Sequence, residues 1–176
     1  MYVNLTLLTK AGCAVLLSIL LVSCGAQTEK TKLIPTATAT MLDEKAVLRE
    51  SMLQVLGTDH ENVPRLKKIS YSDPEAGDIT IIWAIKDNGS QTSTKANAQK
   101  DAVNILKVLE INKTRFIYVI LIGTFTTQGA DGNVAEIQAM SLGFNKSKLD
   151  KVDWEVFQFS DIYDLADVAD VADGWK

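Results

Sequence analysis

The segment Arg115 to Phe125 reads RFIYVILIGTF. Its apolar residues are consecutive rather than alternating, and several are β-branched. That pattern suits a central strand of a sheet, with apolar side chains on both faces. GADGN then turns the chain, and Val134 to Leu142 returns as the hairpin partner. Upstream, Leu66 to Ser72 and Asp78 to Lys86 form a second strand pair across the turn DPEAG. Ile79, Ile81, Trp83 and Ile85 alternate onto one face of the later strand.

Helical spacing fills the intervals. Met41 to Leu56 has Asp43 and Glu44 in its first turn, Leu42, Ala46, Leu53 and Leu56 near helical period, and Gly57 as its stop. Thr94 to Asn112 presents Ala98, Ala102, Ile105, Leu106 and Leu109 on one face. A short helical turn is expected near Ser147 to Val152, and a last helix from about Asp161. The order α-ββ-α-ββ-α predicts an α+β domain over 41–176: a four-stranded antiparallel sheet with helices packed on one face.

The N-terminal region has a different character. Ala11 to Ser23 carries no charge and would span about 20 Å as a helix, short of the ~30 Å hydrocarbon core. Its length fits the apolar part of a secretory signal peptide, residues 1–23. Gly25 to Thr40, GAQTEKTKLIPTATAT, has no apolar period and reads as a flexible linker. The two cysteines, Cys13 and Cys24, both precede the folded region, so that region has no thiol for a disulfide, a metal or nucleophilic catalysis.

Leu21-Val22-Ser23-Cys24 resembles the lipobox of bacterial lipoproteins. The resemblance implies a diacylglyceryl group on the Cys24 sulfur, cleavage before Cys24 and acylation of the new amino terminus. Cysteine is required because its thiolate is the nucleophile that takes up the lipid. Several acyl chains, at about 0.8 kcal/mol per buried methylene, would anchor the protein stably. It follows that the chain is expected to be secreted across the inner membrane and lipid-anchored to the cell membrane or the outer membrane.

WAIKDNGSQTSTKANAQKDAVNILKVL, VILIGTF and DWEVFQFSDIYDLAD together resemble a small domain of secreted and membrane-anchored bacterial proteins of unassigned function. The similarity spans roughly residues 79 to 167. It implies the α+β fold and carries over no functional residue.

Motifs for chemistry are sparse. A net charge of −4 without a basic stripe argues against nucleic acid. Asp161, Asp164, Asp167, Asp170 and Asp173 recur every third residue, which raises Ca²⁺ as a ligand. No EF-hand loop accompanies them, and a solvated helix face is the preferred reading. DGNVAE, from Asp131 to Glu136, is a tight turn rather than a cation loop. His60 is the single histidine and no G-x-S-x-G is present, so neither a Ser-His-Asp site nor a His-rich metal site is indicated. Asn88, Asn112 and Asn145 begin Asn-x-Ser/Thr triplets, coincidental in a bacterial lipoprotein. Trp154, Phe157, Tyr163 and Trp175 crowd the C-terminal region and are candidates for contact with an envelope protein. The expectation is a non-catalytic binding or adaptor module that needs no cofactor. The alternative is an envelope small-molecule or Ca²⁺ binder using the acidic C-terminal segment.

Overall fold

The computed structural model describes residues 37–72, 77–128, 132–173 and Trp175. The Ala11–Ser23 run, the Leu21–Cys24 motif, the linker up to Thr36, Asp131, and most of the turns DPEAG and GADGN lie outside the described residues.

The chain forms α1 (Ala37–Leu56), β1 (Leu66–Tyr71), β2 (Ile79–Ala84), α2 (Gln91–Ile111), β3 (Tyr118–Gln128) and β4 (Val134–Asn145). After these come α3 (Lys146–Leu149), a 3₁₀ turn (Phe159–Asp161), α4 (Ile162–Leu165) and β5 (Val168–Val171). The fold is α+β, with one mixed sheet of five strands in the spatial order β1-β2-β3-β4-β5.

Two features differ from the antiparallel four-stranded arrangement. First, β2 and β3 are parallel, with Ile79 opposite Val119 and Ala84 opposite Thr124. The whole of α2 lies between them, and a helix of that length returns the chain to the end of the sheet from which β2 began. Second, the expected C-terminal helix stops at Leu165, and the following residues pair antiparallel with β4 as β5. The free edge of β4 supplies backbone groups that need partners. Asp167 starts the pairing: its amide donates to Gly143 O at 2.8 Å, while its carboxylate accepts from the Asn145 amide at 2.7 Å. That interaction also holds the Asp167 carboxyl below its ordinary range, with Lys148 contributing.

The helices cover one face. Ile79, Ile81 and Trp83 of β2, Val119 and Leu121 of β3, and Leu142 and Phe144 of β4 are all inaccessible to solvent on that side. From α2 come Ala98, Ala102, Ile105, Leu106 and Leu109. From α1 come Leu48, Met52 and Leu56, while Ala46 of the expected stripe faces water. α1 begins at Ala37, earlier than the Met41 expected, and ends at Gly57, which adopts φ +66 and donates to Leu53 O at 2.9 Å. A residue with positive φ closes a helix at little steric cost only when it is glycine.

Gly123 sets the packing of the sheet's centre. It lies between Trp83 and Met140 in the register, beside a bulge at Gly123/Thr124. A Cβ there would sit 2.9 Å from both Ile85 Cδ1 and Met140 Cγ, and 3.1 Å from Trp83 Cζ2. All three neighbours are buried, so none can move into solvent. Gly123→Ala is expected to destabilise the domain by about 1–3 kcal/mol, the usual range for overpacking, and chemical denaturation checks it.

Candidate functional site

The polar sequence DNGS, Asp87 to Ser90, connects β2 to α2 and is built by its own side chains. Asp87 Oδ1 accepts from the Gly89 amide at 3.0 Å and from Thr94 Oγ1 at 3.2 Å. The Asn88 amide donates to Thr94 Oγ1 at 3.1 Å. Gly89 takes φ +76 to make the turn, and Ser90 caps α2 by accepting from the Ser93 amide at 3.2 Å. His60 comes from the loop after α1, and its Nε2 lies 3.0 Å from the Asp87 carbonyl. A carbonyl oxygen only accepts, so this contact is a hydrogen bond in the tautomer that carries its proton on Nε2.

This turn forms one wall of a cleft of about 330 Å³ whose other wall includes Phe125 and Thr127 of β3 together with Trp175. The Phe125 and Trp175 rings meet edge to face, with centroids 5.3 Å apart at 62°. The cleft thus offers hydroxyl groups, one carboxylate and an aromatic wall. Such groups bind by hydrogen bonding and ring contact.

The other C-terminal aromatics are placed differently. Trp154 and Phe157 form a second edge-to-face pair, centroids 5.5 Å apart, each half-buried against the core. Tyr163, on α4, is also half-buried, and burial raises its phenol above the ordinary range. Trp175 is buried at 7% exposure, in contact with Phe125 rather than with the other three.

The five aspartates occupy unlike positions. Asp161 lies in the 3₁₀ turn and accepts from Ser160 Oγ at 2.9 Å; Asp164 is on α4. Asp167 is engaged by Asn145 and Lys148, Asp170 is on β5, and Asp173 follows that strand. Among the described residues no three His, Cys, Asp or Glu side chains gather where they could share a metal ion.

One polar cluster escaped the sequence reading. Arg65 and Asp101 form an ion pair with side-chain exposures of 6% and 11%. Arg65 also donates to Leu56 O at 2.8 Å and to Ala84 O at 3.0 Å, joining the end of α1 and the end of β2 to α2. Burial raises the Asp101 carboxyl despite the opposing pull of Arg65. The Trp83 indole N–H has no hydrogen bond of ordinary geometry, yet its dipole favours the Asp101 carboxylate. A signal for Asp101 was present: it falls on the face of α2 that carries Ala98, Ala102 and Ile105. Arg65, in an irregular loop, had none. The pair is enclosed and ties three elements together, so it is structural.

No family model, curated protein or solved structure matches this chain.

Proposed function

We propose that this protein is a lipid-anchored, non-catalytic binding module of a bacterial cell envelope. The observation that carries the proposal is Leu21-Val22-Ser23-Cys24, standing at the end of an uncharged run too short to span a bilayer. Two further points support it. Among the described residues no helix is long and apolar enough to cross a membrane, so attachment through them would need another device. The polar side chains at the cleft are engaged in holding its turn, Asp87 with Gly89 and Thr94, and His60 lies against a backbone carbonyl. Acyl chains on Cys24 would hold the module at the membrane surface, with the linker giving it reach to an envelope partner.

The test is Cys24→Ala in the full chain, expressed in a bacterial host that processes lipoproteins. The variant is expected to lose palmitate labelling and to move from the membrane fraction into the soluble envelope fraction. A variant that stays with the membrane overturns the lipid anchor.

A further inference from the structure

The sheet face opposite the helices carries one ordered row across all five strands. Successive register partners on it are Lys68 of β1, Ile82 of β2, Ile122 of β3, Ser141 of β4 and Asp170 of β5. The adjacent row is Ser70, Thr80, Ile120, Gly143 and Val168. Ile82, Ile120 and Ile122 are only half-buried, and Val168 is 60% exposed. Tyr118, on the same face, already lies across Gly143, and the Lys67–Glu136 ion pair reaches from β1 to β4; between them the three isoleucines form a half-buried apolar strip where an open sheet face ordinarily carries polar residues.

The charges identify the cover. Lys68 lies at one end of the row and Asp170 at the other, and neither has an ion-pair partner among the described residues. The neighbouring Lys67 is already engaged by Glu136. A row that is positive at one edge, apolar at the centre and negative at the other is complementary to itself. Rotating a second copy by 180° about an axis along β3 lays its face on the first, with β1 of each copy over β5 of the other. This rotation brings Lys68 opposite Asp170 at both ends of the row, stacks Ile120 and Ile122 on their counterparts near the axis, and sets Ile82 over Ser141. Facing sheets pack about 10 Å apart with strands within about 30° of alignment, a gap that these side chains can fill from both sides.

We infer that two copies of this chain associate through this face, as a two-fold dimer with β3 on the axis. Five strands by about five residues give a footprint near 400 Å² per copy, half the ~800 Å² of a standard interface. The dimer is therefore weak and reversible, forming at high local concentration.

The test uses full-length protein in detergent, mixed from equal amounts of ¹⁴N- and ¹⁵N-labelled chains. A zero-length carbodiimide joins Lys68 to Asp170 only if they touch. Within one chain they stand four strand spacings apart, about 19 Å, so the link must come from two copies. Mixed-isotope Lys68–Asp170 peptides are expected. Sedimentation should show Lys68→Glu weakening association about tenfold or more, Asp170→Lys doing the same, and the double exchange restoring it. Both residues are exposed, so folding is not at stake. The inference is overturned if the protein sediments as a monomer up to about 1 mM without the cross-link, or if Lys68→Glu leaves association unchanged.

Discussion

Replacing Trp83 by alanine is expected to cost about 3–5 kcal/mol, enough to lower the melting temperature of a domain this size by about 10 °C or more. Trp83 has no solvent exposure and is the largest fully buried side chain. It faces Leu66 of β1 and Gly123 of β3 in the register. Because Gly123 has no side chain, the indole fills the space on that side, and Ala at 83 would leave two small residues facing each other over a void. Trp83→Phe keeps most of that volume and should retain more than half of the lost stability. Urea denaturation of both variants measures the difference. A loss under 1 kcal/mol for Trp83→Ala would mean that this part of the core repacks freely.

Breaking the Arg65–Asp101 pair is the second large effect. Asp101→Ala leaves the buried Arg65 guanidinium without the carboxyl that accepts from it, and a loss of about 3–5 kcal/mol is expected. The double replacement Arg65→Met with Asp101→Leu removes both charges. It still leaves Leu56 O and Ala84 O without their donor, so recovery should be partial, ending about 2 kcal/mol below the wild type. The pH dependence has a definite sign. Burial raises the folded-state pKa of Asp101 above its unfolded value. Its contribution to stability is therefore full below the unfolded Asp range, near pH 3.9, and shrinks as pH rises through the folded value. Asp101→Asn should remove that decline from the stability profile. Asp167 acts in the opposite sense: its pKa is lowered, so its contribution is present at neutral pH and fades as pH falls through the folded value.

How far the sequence could be read depended on how local each cause was. The inner face of α2 was legible because five apolar residues repeat at helical spacing, and the strand over Ile79 to Ala84 because its side chains alternate. RFIYVILIGTF was legible as a central strand, and β3 is the third of five. The parallel joining of β2 and β3 was not legible, since strand direction is fixed by where α2 docks and not by the strands' own residues. β5 was missed because the three-residue period of aspartates suggests a helix, whereas the deciding interaction is made by Asn145, far away in sequence. The same limit applies to the cleft: DNGS was visible as a turn, but nothing local brings Phe125, Thr127 and Trp175 opposite it. The outward isoleucines at 120 and 122 were visible only as apolar residues, and which face the helices would leave open could not be told from them.

The crossover through α2 has a consequence for how the domain assembles. β1 with β2, and β3 with β4, are each pairs of neighbours in the chain that can meet early and at little entropic expense. Neither hairpin can hide its own apolar face, and β2 and β3 are joined in the chain only through α2. The two halves are therefore not separable folding units. A chain cut anywhere within α2 should yield fragments without stable structure, and native-state hydrogen exchange should find the amides of β2, α2 and β3 opening together in one event.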